Sequence, residues 1–343
     1  MKRPEEIDFM NLPFGYVQTP WNLRVKCTKG EWGAIEKSQD ENVSIHMASS
    51  GLHYGQQAFE GLKAFRGKDG QVRVFRMREN AKRLQRSAQY LRMAEPSVEL
   101  FEEMVRQIVT LNIDYVPPVE ADGSLYIRPV LFGVGPRVGV SPSDDYLLLL
   151  FVTPVGAYYK GGMQGIRAIV DRAHDRASSH GTGHIKAGGN YGSSLLSGEM
   201  AHEAGYQSVL YLDPTEHRYI DECGAANFFG IKDGKYITPA SPSVLPSITN
   251  MSLQQLAQDM GLTVEKRAID FKAEIASFHE AGACGTAAVI TPIASITDPH
   301  DNQTYNFKTV GPVSQKLYDT YRGIQLGTLP DTHNWNTIIK GDC

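Results

Sequence analysis

The sequence predicts an α/β protein of mixed α+β character, divided into two domains. Three observations carry this. The chain has 343 residues, more than a single hydrophobic core of ordinary size serves. Segments of helical and of strand periodicity alternate along it. A glycine-rich break, Pro154-Val155-Gly156-Ala157-Tyr158-Tyr159-Lys160-Gly161-Gly162, interrupts it near the middle. The expected division is a small α/β domain over 1–153, an interdomain loop over 154–165 and a larger domain over 166–343. Two tyrosines in such a loop need a partner surface, so the loop is expected to cover a pocket.

In the first domain, Leu62 to Arg66 and Val72 to Arg76 read as strands joined by the hairpin signal Gly67-Lys68-Asp69-Gly70. Glu79 to Met93 and Ser97 to Ile113 carry helical spacing, with Ser97 as an N-cap after Pro96. Leu125 to Phe132 and Tyr146 to Thr153 are rich in strand formers, and their near-continuous apolar character predicts burial on both faces. In the second domain, Ile166 to Asp171 and Ser208 to Asp213 read as strands. Tyr191 to Ala204 reads as a helix stopped by Gly205. Phe228 to Ile231 and Lys235 to Thr238 form a hairpin around Lys232-Asp233-Gly234. Thr249 to Met260 is a helix stopped by Gly261. Thr263 to Ile269 and Ala287 to Ile293 are strands, and Gly311 to Tyr321 is a last helix.

Composition excludes several classes of function. The formal net charge is −4 and no basic stripe stands out, which argues against a nucleic-acid partner. The longest apolar run, Tyr146 to Val155, is too short to span a bilayer. The start, MKRPEEIDFM, lacks the apolar region of a secretory signal, so a cytoplasmic protein is expected. Cys27, Cys223, Cys284 and Cys343 are widely spread and read as free thiols. Asn-x-Ser/Thr triplets at Asn42, Asn250 and Asn302 are chance matches without secretion.

The chemistry concentrates around Lys186-Ala187-Gly188-Gly189-Asn190-Tyr191. A lysine amine is a nucleophile only after losing its proton, and burial or a neighbouring cation promotes that loss. Such an amine forms a Schiff base with an aldehyde, and paired glycines let backbone pass close to a flat ligand. Glu222, in Asp221-Glu222-Cys223-Gly224, is either a turn cap or a carboxylate for a ring nitrogen. The second role would make a pyridine an electron sink. Leu245-Pro246-Ser247-Ile248-Thr249-Asn250 opens a helix, whose free amides suit a phosphate or are simply capped by a hydroxyl. Gly285-Thr286-Ala287-Ala288 offers amides and a hydroxyl to a phosphate or carboxylate. Arg83 reads alone as a solvated helix arginine, but its fork also suits a phosphate.

Together, in this order, these segments resemble the branched-chain amino acid aminotransferases. Those are class IV (fold type IV) enzymes that use pyridoxal 5′-phosphate. The likeness runs nearly end to end. It includes Tyr54 and Phe59-Glu60-Gly61-Leu62-Lys63-Ala64-Phe65, then Arg73-x-Phe75-Arg76 and Arg83. It continues through Leu125-Tyr126-Ile127-Arg128-Pro129, Pro154-Val155-Gly156-Ala157-Tyr158 and Lys186-x-Gly188-Gly189-Asn190-Tyr191. Glu222-x-Gly224-x2-Asn227, Leu245-Pro246, Gly285-Thr286-Ala287 and Gly311-Pro312-Val313 complete it.

The resemblance implies a small N-terminal α/β domain and a larger C-terminal pseudo-barrel α/β domain that binds the cofactor, with the cofactor between the domains. It implies that Lys186 holds the cofactor covalently and shuttles a proton. By the same likeness Glu222 meets the ring nitrogen and Tyr191 the 3′-oxygen. Arg83, the Ile248 and Thr249 amides and Thr286 take the phosphate, with Asn227 in support. Tyr54, Phe59, Tyr126 and Tyr158 would wall an aliphatic side chain. The Ala287 amide would hold the α-carboxylate, and Arg128 the side-chain carboxylate of glutamate. Transamination between leucine, isoleucine or valine and 2-oxoglutarate by a homodimer is the implied function. D-amino-acid aminotransferase and aminodeoxychorismate lyase are rivals within the fold, and Tyr126-x-Arg128 with the long N-terminal segment favours the branched-chain enzyme. A non-catalytic binding module is the alternative outside it.

The chain also departs from the family. Ala225 stands where some relatives carry threonine, and the Cys-x-x-Cys of mammalian relatives is absent. Cys284, just before Gly285, reads mainly as packing. His174, His180 and His184 are close in sequence, but Gly181-Thr182-Gly183 breaks any helix that would align them, so no metal is expected. Gly133-Val134-Gly135-Pro136-Arg137-Val138-Gly139 has the wrong spacing for a dinucleotide loop.

Overall fold

A computed structural model describes residues 1–158 and 162–340. Tyr159, Lys160 and Gly161 of the expected loop, and Cys343, lie outside the described residues. The chain forms two compact units. One comprises Met1–Tyr158, Ile185–Gly188 and Gly323–Cys343, and the other Tyr159–His184 and Gly189–Arg322. This differs from the expected division at 153 and 166. Strand pairing is the reason: Ala187 bridges Ala58, and a late strand, Asn336–Ile339, pairs with Val72–Phe75.

The first unit is an antiparallel sheet backed by helices. In chain order its strands are β1 (Asn22–Thr28), β2 (Glu31–Trp32), β3 (Glu36–Ser38), β4 (Gln57–Phe59), β5 (Leu62–Arg66), β6 (Val72–Phe75), β7 (Ser124–Gly133) and β8 (Asp145–Val155). Its helices are α1 (Ser50–His53), α2 (Met77–Tyr90) and α3 (Val98–Leu111). The expected Ser97 cap is present, accepting the Leu100 N–H at 3.0 Å. Phe101, Met104, Val105, Ile108 and Val109 repeat at helical spacing on α3 and are buried.

The β7 strand corrects one expectation. Its apolar run is not buried on both faces. Leu125, Ile127, Pro129 and Leu131 are buried, while Tyr126, Arg128, Val130 and Phe132 are half-buried on the other side. Strand alternation thus presents Tyr126 and Arg128 together on a face that stays partly open.

In the second unit the strands are β9 (Ile166–Asp171), β10 (Ser208–Leu212), β11 (Ile220–Cys223), β12 (Ala226–Lys232), β13 (Lys235–Pro239), β14 (Thr263–Arg267), β15 (Glu280–Gly285), β16 (Val289–Asp298) and β17 (Gln303–Asn306). The order β11-β10-β9-β16-β15-β12 returns on itself, because β12 also pairs with β11. The sheet is therefore a closed barrel, filled by Val170, Leu210, Ile220, Phe228, Ala283, Ile293 and Ile296. The closing seam is the hairpin of β11 and β12, turned by Gly224-Ala225 with Gly224 at φ 59°.

Helices α4 (Gly188–Gly192), α5 (Leu195–Glu203), α6 (Ile248–Asp259), α7 (Phe271–Glu274) and α8 (Pro312–Leu326) complete the chain. The helix expected over Tyr191 to Ala204 is split into α4 and α5. At the break the Ser193 and Ser194 hydroxyls donate to the Asn190 and Tyr191 carbonyls at 3.1 and 2.9 Å, competing with helical bonding. Gly205 and Gly261 take positive φ after α5 and α6, as the sequence predicts.

Candidate active site

In the first unit, Lys186 is fixed by its backbone. Its carbonyl accepts the Phe59 N–H at 3.1 Å, and its own N–H donates to Ser87 Oγ at 3.1 Å. The side chain is half-buried, with Nζ 4.6 Å from the centre of the Phe59 ring. A Cβ at Gly188 would collide with the Gln57 side chain, so glycine permits this close pairing with β4.

Between β4 and β5 the register against β7 is unbroken, and strand alternation puts Glu60 on the same inward face as Ala58 and Leu62. Glu60 is fully buried. It receives Arg83 Nε at 2.8 Å, Arg83 Nη2 at 2.7 Å and Asn80 Nδ2 at 2.8 Å. This is a bidentate pair, the strongest arrangement of these two groups. Asn80, Arg83 and Ser87 recur at helical spacing on the buried face of α2. They fix Glu60 and the Lys186 backbone. Arg83 is thus not a solvated helix arginine.

The open face of β7 carries further candidate residues of this unit. Arg128 lies 4.8 Å from the Phe59 ring centre and 5.2 Å from that of Tyr126, and its Nη2 donates to the Tyr126 hydroxyl at 3.1 Å. Its Nε is buried and has no hydrogen bond among the described residues. Gly61 leaves room for the Tyr126 hydroxyl, which a Cβ there would strike. Phe14, which sequence reasoning missed, packs edge-on against Tyr126 at 5.5 Å and Tyr158 at 6.4 Å. Lys63, also missed, lies 5.6 Å from the Phe14 ring centre. Tyr54 is more exposed and donates from its hydroxyl to the Val138 carbonyl.

In the second unit, register places Glu222 opposite Asn227 across the barrel seam. Both are buried. Glu222 Oε1 accepts Asn227 Nδ2 at 2.8 Å and the Leu245 N–H at 3.1 Å. Arg176 Nε lies 2.7 Å from Oε2, too bent for a hydrogen bond. Arg176 was also missed. Its Nη2 donates to the Gly183 and Ser243 carbonyls, which fixes the guanidinium. Next to Glu222, Asp221 faces Ser243, and burial pushes its carboxyl up.

The start of α6 carries Ile248 and Thr249, both buried, after the cap Ser247, whose Oγ accepts the Asn250 N–H at 3.2 Å. Tyr191 sits in α4, half-buried. Thr286 and Ala287 form the turn between β15 and β16, and Val289 beyond it has φ 65°. A β-branched residue in that region is strained, a feature common at ligand sites. Ala225 is exposed at the hairpin tip. Cys284 is buried, and burial pushes its thiol well above the ordinary value, consistent with a packing role. His174 Nδ1 pairs with Asp171 at 3.0 Å, and no metal-binding group of three His, Cys, Asp or Glu occurs among the described residues.

The family model described as "Amino-transferase class IV" matches residues 57–296. The chain is a class IV aminotransferase. It is 44% identical to the branched-chain-amino-acid aminotransferase of Helicobacter pylori, over 98% of each chain. The crystal structure of the Escherichia coli branched-chain amino acid aminotransferase matches with a TM-score of 0.76 at 31% identity, covering 89% of this chain and 97% of that one. The branched-chain amino acid aminotransferase of Thermobaculum terrenum, solved "in PLP-form (holo-form)", matches with a TM-score of 0.77 at 25% identity, over 94% and 98%. The fold of this class IV aminotransferase is fold type IV, and the closed sheet is its pseudo-barrel.

Proposed function

We propose that this class IV aminotransferase moves amino groups reversibly between L-leucine, L-isoleucine or L-valine and 2-oxoglutarate, with pyridoxal 5′-phosphate as cofactor. The near full-length likeness to the H. pylori relative supports the reaction. The observation that carries the substrate reading is the open face of β7. There an arginine whose buried Nε has no hydrogen bond among the described residues stands among Phe59 and Tyr126. Aromatic surface suits an alkyl side chain, at about 0.8 kcal/mol per buried CH₂. The guanidinium suits the side-chain carboxylate of glutamate.

The donor set fits the cofactor. One amine, one buried carboxylate held by donors, and the amides of a capped helix match its aldehyde, ring nitrogen and phosphate. When bound, the cofactor supplies an electron sink for the charge left at Cα. Lys186 Nζ would hold the cofactor through its amine and, once released, would hold or move the proton at the amino acid's Cα. Glu222 accepts the N–H of the ring nitrogen, and Asn227 holds Glu222 in place. Tyr191 donates to the 3′-oxygen. Arg83, the Ile248 and Thr249 amides and the Thr286 hydroxyl bind the phosphate, with Arg83 kept in one orientation by Glu60. Tyr54, Phe59, Tyr126 and Tyr158 enclose the side chain, the Ala287 amide takes the α-carboxylate, and Arg128 takes the γ-carboxylate.

A cytoplasmic homodimer with small-molecule partners is part of the same reading. Leu195, Leu196 and Met200 on α5 are all more than half exposed, an apolar face suited to a second copy. No described helix is long and apolar enough to cross a membrane. Activity with L-leucine and 2-oxoglutarate, and none with D-alanine, is the expected assay result. Preference for D-alanine would overturn the reading.

A further inference from the structure

Asn250 has no place in the chemistry above, yet it is buried in a continuous polar chain that ends on Glu222. Tyr236, fully buried, donates its hydroxyl to Asn250 Oδ1 at 2.8 Å. Asn250 Nδ2 donates to Asn227 Oδ1 at 3.1 Å, and Asn227 Nδ2 donates to Glu222 Oε1 at 2.8 Å. The second proton of Asn250 Nδ2 goes to Thr238 Oγ1 at 2.9 Å, and the second of Asn227 Nδ2 to the Leu245 carbonyl at 3.0 Å. Every amide hydrogen in the chain is thereby used.

The polarity of this chain is fixed. Thr238 commits its only proton to the Phe228 carbonyl at 2.8 Å, so towards Asn250 it can only accept. Burial, with the Cys284 thiol beside it, pushes the Tyr236 hydroxyl well above its ordinary value and keeps it a donor. Reversing Asn250 would therefore set oxygen against oxygen at Thr238 and Asn227. Reversing Asn227 would do the same at Glu222 and Leu245. In a dry interior either error is costly. Asn250 is also bound through its backbone N–H to the cap Ser247, directly after the Ile248 and Thr249 amides.

We propose that Asn250 is a positioning residue, which orients Asn227 so that an N–H always faces Glu222 and the acid stays tied to the start of α6. The inference rests on the reading of Glu222 as the acceptor of the cofactor ring nitrogen. Its consequence is a ring nitrogen that holds its proton more tightly than Glu222 alone would secure.

The test is nitrogen NMR of holoenzyme loaded with cofactor labelled at the ring nitrogen, titrated with pH, beside leucine kinetics. In Asn250→Leu the midpoint for loss of the ring proton is expected to fall by about one unit. A tenfold loss of kcat should accompany it, with KM changed less than about twofold. Thr238→Val, which keeps shape and removes the acceptor that fixes Asn250, should shift the midpoint in the same direction by less, and decides the matter if Asn250→Leu does not fold. Unchanged titrations in the folded variants overturn the proposal when Glu222→Gln still moves the midpoint. If Glu222→Gln leaves it unmoved as well, the reading of Glu222 itself has failed.

Discussion

Two buried glutamate–arginine pairs, one in each unit, are built from the same residue types for different ends. Glu60 meets Arg83 through two parallel bonds of 2.8 and 2.7 Å, and Asn80 adds a third donor. Glu222 has its arginine off-axis at 2.7 Å, while its directed bonds come from Asn227 and the Leu245 amide. Arg176 in turn is anchored by backbone carbonyls rather than by the acid. In the first pair the acid serves the arginine and fixes where its fork points. In the second, on the proposed function, the arginine supplies charge and the acid is the working group. Burial and pairing alone do not separate these cases, but the direction of the bonds does.

The largest effect belongs to neither pair. Lys186→Ala is expected to abolish transamination, and retained turnover would remove the central assignment. Glu222→Gln comes next: kcat should fall by roughly 10²–10³, far more than cofactor affinity falls. Glu60→Gln should reverse that pattern. Breaking a buried pair costs about 3–5 kcal/mol, read as a lower denaturation midpoint. The same change should weaken cofactor binding, yet leave kcat at saturating cofactor within roughly threefold. Similar kinetic losses in both variants would erase the distinction between the pairs.

Asp298 provides a purely structural comparison. Burial raises its carboxyl, but bonds from Arg172 at 2.8 Å and Lys272 at 2.6 Å outweigh burial and hold it well below the usual carboxylate range. Its folded value is thus depressed, so its stabilisation is complete above the unfolded value of about 3.9 and is lost as pH falls through the folded one. Asp298→Asn should cost roughly 3 kcal/mol at pH 7, and the gap to the parent should close progressively below about pH 4. A gap that stays constant with pH would contradict this. The smallest effect is on selectivity. Arg128→Ala should lower kcat/KM for glutamate about tenfold more than for leucine, the loss of one charge-assisted bond. Equal losses would count against its role.

Much of the fold is legible in the sequence because local signals agree with it. Strands β5 and β9 match their expected bounds, and Ser97, Gly205 and Gly261 punctuate helices as their chemistry requires. What escapes is non-local. Strand β4 is three residues long and exists through pairing with β7, and that pairing with the bridge to Ala187 assigns Lys186 to the first unit. The half-open face of β7 is hidden because Val130 and Phe132 are as apolar as the core residue Leu131 between them. Among the candidate site residues, Lys186, Glu222 and the start of α6 stand out through glycine neighbours and capping. Arg176, Asn250 and Phe14 carry no such mark, since their contacts are with partners distant in sequence. The polar triplet Asn80, Arg83 and Ser87 could have been found, because three buried polar residues at helical spacing imply an inward-facing site.

Borohydride reduction of the cofactor-loaded protein followed by peptide mapping tests the central claim most directly. A single pyridoxyl label on Lys186 is the expected result. A label on another lysine, or none, would contradict it.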